Sequence, residues 1–335
     1  MKRVLVLSVI VAVVAVSLVS YAAQDVIELK LGSKMPENNP ESQGVLRVCE
    51  LVEERSNGRL KIIPYFGEAL GNKNTQLENV MMGTQDMYIE SYSHYVSWVP
   101  GFAVHSLPYL FSGAEQYQQF LLSDLEKELE QKLLDKTGIK ILNTKKNWVR
   151  GPYRVLVSKK PIFSPADLAG VKLRMADSRL LSNVWNGLGA NVINLAWSEV
   201  YLALQQGVVE AVTSPVSLLY SMKFTEICKY VIRTDEYNQQ LALVINNKKF
   251  ESLPEDLQKI LVDTIDEVGE YVSGLVYEAA NKDLEKMKQE HGMEYAEPDI
   301  SPWLDKMPDI FSTLEKEGLI PKEAVEKVLA WQKTL

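Results

Sequence analysis

VKLRMADSRLLSNVWNGLGANVINLAWSEVYLALQQGVVEAVTSP, running from Val171 to Pro215, is the stretch whose reading decides the fold. It opens with a short β-branched and apolar run, Val171 to Met175, that reads as a strand. Ser178 to Leu188 then places apolar residues at helical spacing. A Gly-Ala turn follows, and Ser198 to Gln206 reads as a second amphipathic helix with Gly207 at its C-cap. Arg174 therefore stands where a strand ends. A guanidinium there is suited to gripping a carboxylate or phosphate through two parallel hydrogen bonds.

The same alternation continues outward on both sides. Tyr153 to Val157 reads as a strand, and Ser164-Pro165-Ala166-Asp167-Leu168 as a capped turn. Nearer the start, strands are expected at Val26–Gly32, Leu60–Pro64 and Asp86–Glu90, with helices at Ser42–Arg55 and Lys73–Met82 between them. Leu241 to Ile245 is wholly apolar and suits a central strand. From Pro254 to about Gln289 apolar residues recur at helical spacing, interrupted by Gly269 and Gly274, which suggests a kink or a bridge between two lobes. Strands alternating with helices give an α/β fold with mixed sheets. No low-complexity linker separates the halves, so two lobes should share crossing strands and one interlobe cleft. Ligands on such sheets bind beyond the strand ends.

The amino terminus indicates export. Met1-Lys2-Arg3 precedes an apolar run from Val4 to Val19, and Ser20-Tyr21-Ala22-Ala23 supplies small residues before a polar sequence. That order is a secretory signal peptide with cleavage after Ala22; an uncleaved anchor is the alternative reading. The net charge of the 335-residue chain is −8, and loss of Lys2 and Arg3 makes it two units more negative. No basic patch suggests a nucleic-acid partner. Cys49 and Cys228 both lie in apolar helical contexts, and their spacing alone does not show that they meet. His94, His105 and His291 fall at no metal-ligand spacing, so no zinc site is expected.

Catalytic patterns are sparse. There is no G-x-S-x-G elbow and no phosphate loop. Gly187-Leu188-Gly189-Ala190 follows a helical pattern instead of a strand, so it is not a dinucleotide fingerprint. No cofactor is expected. What remains is recognition: Arg154 and Arg174 each lie in strand-like apolar surroundings, where either could instead pair with a local carboxylate such as Asp167 or Asp177. Trp148, Trp185 and Trp197 surround them in sequence. Trp185, in mid-helix, reads as core, whereas Trp197 stands at the mouth of a helix where it could line a pocket.

These residues resemble the solute-binding proteins of tripartite ATP-independent periplasmic (TRAP) transporters. The resemblance runs from about Ile27 to Leu253-Pro254. It is carried by SPADLAGVKLRMADS, LGAN, WSEVYLALQQGVVEAVTSP and MKFTEICKYV in that order, and by LGNKNTQLENVMMG nearer the start. It implies a two-lobed periplasmic-binding-protein-like fold with a long bridging helix. The first lobe would comprise residues 24–151 and 240–279, and the second residues 152–239 and 280–335, after a signal peptide at 1–22.

The resemblance also implies site roles. Arg174 would make a bidentate salt bridge to a ligand carboxylate, assisted by Arg154, with Arg150 as a rival. Trp197 would pack on the ligand, and Ser214 stands where an Asn is frequent. Asp177 would accept hydroxyl hydrogen bonds or hold an arginine. Trp148 is a further candidate, as are Lys34, Asn38, Tyr92 and Trp98 from first-lobe loops. The implied function is capture of an organic acid anion, a sugar acid or a C4-dicarboxylate, by closure of the lobes and its delivery to a TRAP permease. An exported lyase or isomerase and a carboxylate sensor are the alternatives.

Overall fold

The computed structural model describes residues 26–335, so the expected signal peptide at 1–22 lies outside the described residues. Among the described residues no helix is long and apolar enough to cross a membrane. In chain order the strands are β1 (Ile27–Gly32), β2 (Leu60–Tyr65), β3 (Met87–Ser91), β4 (Ile139–Ile141), β5 (Arg154–Ser158) and β6 (Lys172–Met175). They continue with β7 (Asn191–Asn194), β8 (Ala211–Pro215), β9 (Tyr230–Arg233), β10 (Leu241–Asn246) and β11 (Glu294–Ala296). They form two mixed sheets, one per lobe. The first has the order β2-β1-β3-β10-β4, with β1 parallel to its neighbours and β10 antiparallel to its own. The second has the order β11-β9-β5-β8-β6-β7, with β6 parallel to β7 and β8 and β5 antiparallel to β8 and β9.

Period-two alternation explains both sheets. In β10, Leu241, Leu243 and Ile245 join one apolar cluster while Ala242 and Val244 join another. A strand apolar on both faces belongs in the middle of a sheet covered on both sides. β5 behaves likewise, with Leu156 on one face and Val155 and Val157 on the other. Helix α1 (Pro40–Arg55) begins where the Asn39 side chain accepts from the Glu41 amide at 2.9 Å, and it buries Val45, Val48, Leu51 and Val52. Helix α2 (Lys73–Met82) is capped by Asn72 and closed by Gly83 in the left-handed region. Helix α3 (Arg179–Gly187) is capped by Ser178.

The lobes are joined by two extended crossings and one helix. Val149 bridges Gln240 in antiparallel fashion, and the Arg150 amide donates to the Gln239 carbonyl at 3.0 Å. Helix α4 (Glu255–His291) packs its first half on the first lobe through Leu257, Leu261, Ile265 and Val272. Its last turns pack on the second lobe through Ala280 and Met287. The bridge expected from sequence is present, but the glycines do not break it: α4 is a single helix of 37 residues. Gly269 is instead a point of close approach. A Cβ there would lie 2.1 Å from Asn147 Oδ1 and 2.7 Å from Trp148 Cδ1, whereas nothing lies within 4 Å of one at Gly274.

Trp148 is fully buried in this contact, its indole N–H donating to the Ile265 carbonyl at 2.9 Å. It anchors a crossing to α4 and does not reach the cleft. The carboxy-terminal region divides between the lobes. Trp303, Met307, Ile310 and Leu314 pack with second-lobe residues, but helix α5 (Lys322–Gln332) joins the first-lobe cluster through Val328. Residues 322–332 therefore sit on the first lobe, not on the second as the chain order suggests. Cys49 is packed against the first-lobe core and Cys228 lies in the second-lobe core, and both are free thiols.

Gly269→Ala should destabilise the protein by roughly 1–3 kcal/mol in urea unfolding, because the added methyl overpacks a rigid contact. Gly274→Ala on the same helix should be neutral or stabilising by up to about 1 kcal/mol. Equal effects at the two sites would show that Gly269 is not the packing constraint.

Candidate functional site

The loops beyond the carboxyl ends of the parallel strands converge between the lobes. From the first lobe come Lys34 after β1, Glu68 after β2 and His94 in the turn after β3. From the second come Arg174 and Asp177 at the end of β6, and Trp197 and Glu199 after β7. Together they line a cavity of about 400 Å³. A narrower recess of about 50 Å³ lies deeper, against Arg154, Thr213, Tyr237 and Gln239. Both lie at strand ends, where α/β sheets place ligands, and the larger is of ordinary ligand size.

Arg174 is buried, and its Nε and Nη2 donate to the Leu195 carbonyl at 3.1 and 2.6 Å. Among the described residues no carboxylate lies within salt-bridge distance of it. Its guanidinium lies over the Trp197 ring, 5.2 Å from the centroid. Burial pushes its pKa down to about 10, with Glu68 opposing the shift, so it remains a cation at neutral pH. A buried charge is normally paired. This one is aimed by a carbonyl and steadied by an indole, with its remaining N–H groups uncommitted. Trp197 is itself 7% exposed, and its indole N–H has no hydrogen-bond partner.

The other arginines are committed. Arg154 donates from Nε to Glu236 at 2.8 Å, from Nη1 to Gln239 at 2.9 Å and from Nη2 to Thr213 at 2.8 Å, and it stacks on Tyr237. It lines the deep recess with hydrogens to spare on its terminal nitrogens. Arg150 is held by Glu41 through two bonds of 2.8 and 3.0 Å and by Glu90 through a third. Glu90 also accepts from Lys34 at 2.7 Å, and His94 lies 3.6 Å away. Burial alone would raise the Glu90 pKa, but Arg150 and Lys34 outweigh it and hold the carboxyl well below the usual range. Burial pushes Lys34 down to about 8, against the pull of Glu90, and drives His94 well below the usual imidazole value.

Several contacts cross the cleft. Glu68 accepts from the backbone and the hydroxyl of Ser198, Lys73 Nζ donates to the Asp177 carbonyl at 2.9 Å, and Asn74 donates to the Asp177 carboxylate at 2.9 Å. Asn39 Nδ2 reaches Ser221 Oγ at 2.9 Å.

Of the residues singled out from sequence, the structure brings together Arg174, Arg154, Trp197, Asp177 and Lys34. Four others lie elsewhere. Ser214 is fully buried on the opposite face of β8, where its hydroxyl donates to the Pro215 carbonyl, and its neighbour Thr213 faces the cleft instead. Tyr92 is buried in the first-lobe aromatic cluster, stacked on His105. Trp148 is the core anchor described above. Asn38 is exposed, whereas Asn39 makes the cross-lobe bond. Trp98, another of the first-lobe candidates, flanks a side opening of the cleft.

His94, Glu68, Tyr237 and Gln239 were not singled out. The signal available for His94 and Glu68 was their position just past expected strand ends. No three or more His, Cys, Asp or Glu residues cluster as a metal site among the described residues.

Two lobes, two mixed sheets and a cleft at their strand ends define a periplasmic-binding-protein-like fold. A family model described as bacterial extracellular solute-binding protein, family 7, matches residues 31–317. The chain belongs to that family, which contains the TRAP solute-binding proteins. A solute-binding protein of Roseobacter denitrificans is 30% identical over 271 residues, 81% of this chain and 82% of that protein. Its structure with bound L-galactonate has a TM-score of 0.81 at 28% identity, covering 90% of this chain and 98% of that one. The 2,3-diketo-L-gulonate-binding periplasmic protein of Escherichia coli is 30% identical over 275 residues, 82% of each chain. A TRAP periplasmic solute-binding protein from Ochrobacterium anthropi with bound L-fuconate has a TM-score of 0.83 at 26% identity, covering 91% and 99%.

Glu90→Gln should destabilise the protein by about 3–5 kcal/mol in chemical denaturation, because it leaves Arg150 and Lys34 buried beside a neutral amide. A loss below about 1 kcal/mol would show that the ion-pair cluster is not a structural constraint.

Proposed function

We propose that the protein captures an organic acid anion on Arg174, closes its lobes around it and delivers it unchanged to a TRAP permease. The observation that carries this reading is the buried Arg174 guanidinium, which no carboxylate among the described residues pairs. A carboxylate entering the cleft supplies that partner, and a charge-assisted pair in a desolvated cavity is strong and directional. Trp197 offers its face to the bound group and its free indole N–H as a further donor. Arg154 closes the deep end of the cavity as a second, partly committed cation. Membership of the family supports export through the amino-terminal signal and delivery to a permease. The sugar acids bound by relatives support an organic acid as cargo.

Closure is favoured only by the extra contacts that a ligand makes in the closed form. The contacts of Ser198 with Glu68 and of Lys73 and Asn74 with Asp177 are the ones available to hold it. Return of chemically unchanged ligand after denaturation, followed by NMR, distinguishes carriage from lyase or isomerase turnover.

Arg174→Ala should weaken ligand affinity by roughly a hundredfold or more in calorimetry, because the bound carboxylate loses a buried cation that no carboxylate among the described residues neutralises. The melting temperature of the ligand-free variant should hold or rise, since an unpaired buried charge has been removed. Near wild-type affinity would overturn the assignment.

Affinity should also depend on pH through Lys34. A bound anion favours its charged form and so raises its pKa above the ligand-free value of about 8. The complex then holds more protons above that pH, so affinity is flat near neutrality. It falls by up to about tenfold per unit as pH rises through and beyond about 8. Proton uptake on binding in calorimetry at about pH 8 checks this, and a flat affinity across that range counts against it.

A further inference from the structure

Arg154 borders open space on two sides. With Tyr237 it lines the deep recess of the ligand cleft, and the same two side chains also line a separate cavity of about 730 Å³. A side chain placed in this way is aimed by its hydrogen bonds more than by close packing. Several of those bonds come from the turn that follows β9. The Thr234 and Asp235 amides both donate to the Arg154 carbonyl at 3.2 Å, and Glu236 accepts from Arg154 Nε at 2.8 Å. The Thr234 hydroxyl donates to the other oxygen of the same carboxylate.

That turn is itself held from the first lobe. Tyr109 lies between the short helical segment Pro100–Ser106 and the helix Ala114–Leu121, whose residues Phe102 and Tyr117 belong to the first-lobe aromatic cluster. The Tyr109 amide donates to the Glu236 carbonyl at 2.8 Å, and its hydroxyl donates to the Thr234 carbonyl at 3.1 Å. Its backbone has φ +59°, and that of Asp235 has φ +47°. Aspartate tolerates the left-handed region, but a bulky tyrosine there is strained and persists only where its surroundings fix it. Strain and two hydrogen bonds thus meet at one residue, on the joint between the lobes.

Resting on the capture reading above, we infer that Tyr109 is a positioning residue through which the first lobe aims Arg154, a second-lobe cation, into the deep recess. It acts through Thr234 and Glu236, which hold the backbone and the guanidinium of Arg154. The spare N–H groups of Arg154 then face a ligand only while the joint is intact. Arg174 is independent of it, because its guanidinium is held by Leu195 within its own lobe. The orientation of the lobes is thereby linked to one of the two arginines and not to the other.

The test reads both arginine side chains in the ligand-free protein. Their Nε–H signals are assigned with Arg154→Lys and Arg174→Lys, and exchange with water is followed by heteronuclear NMR. Tyr109→Gly accepts the left-handed backbone without strain and removes the ring and hydroxyl, whereas Tyr109→Phe removes the hydroxyl alone. Exchange at Arg154 should rise roughly tenfold in the first and about threefold in the second, the range set by loss of ordinary hydrogen bonds. Exchange at Arg174 should stay unchanged in both. Tyr95→Phe, which removes a buried hydroxyl without a partner from the same aromatic cluster, should alter neither arginine. Whichever of L-galactonate, L-fuconate and succinate binds the wild type should bind Tyr109→Gly about threefold more weakly, or worse, in calorimetry. Unchanged exchange at Arg154 in Tyr109→Gly, an equal rise at Arg174, or unchanged affinity would each overturn the inference and leave the Arg174 reading intact. Failure of all three acids to bind the wild type, or binding that survives Arg174→Ala, would instead sink the capture reading, whatever the NMR shows.

Discussion

The buried cluster of Arg150 with Glu41 and Glu90 is the constraint on which the rest of the molecule depends. Arg150 lies on the first crossing between the lobes, Glu41 on α1 and Glu90 on β3. The crossing is thereby fixed to a helix and a strand of the first lobe before the chain enters β5. Four residues later Arg154 takes its place in the deep recess of the cleft. Glu90 also holds Lys34, so that cation of the first lobe arrives in the cleft already compensated. Arg174, on the other lobe, does not. A buried ion-pair network of this kind adds little net stability over an apolar core, but removing one member is severe, so it fixes geometry more than it adds strength.

This division explains why one half of the site was legible in the sequence and the other half was not. In the second lobe Arg174, Asp177, Trp197 and Glu199 line the cavity from one continuous run, whereas Arg154, Thr213 and Tyr237 reach the deeper recess from outside it. Arg174, Asp177 and Trp197 could therefore be read from local pattern and resemblance. First-lobe contributors come from three separate loops and meet the second lobe only across the cleft. Lys34 lines the cavity as its place after a strand suggests, but His94, two residues on from Tyr92, is the side chain that does so after β3. Asn38 was chosen where Asn39 is the one that reaches across. Single-residue misses of this kind reflect turns whose direction depends on what they pack against.

Ser214 and Trp148 failed for different reasons. In a strand, a shift of one residue changes the face, so a resemblance aligned to Ser214 marked the strand but not the side chain that points into the cleft. Trp148 lies next to the crossing in sequence, which made it look like a ligand wall. It is instead the packing partner of Gly269, and that contact also removes the reason to expect a kink in α4. The helix stays whole because the glycine admits a tryptophan, not because it relaxes the backbone. The two-lobed fold itself was legible throughout, because the period of two in the strands and the helical spacing between them leave few alternatives.

The return of α5 to the first lobe has a mechanical consequence. The preceding helices, through Leu314, are fastened to the second lobe. In the connection to α5, Leu319 and Ile320 still pack with that cluster, and Gly318 and Leu319 flank the side opening of the cleft near Trp98 and Arg179. The carboxy terminus is thus a leash of fixed length strung across the mouth side of the cleft, opposite in effect to the hinge. It sets a limit on how far the lobes can part while both ends stay docked. The ligand entrance is therefore bounded in width by the covalent chain as well as by the stiffness of the crossings.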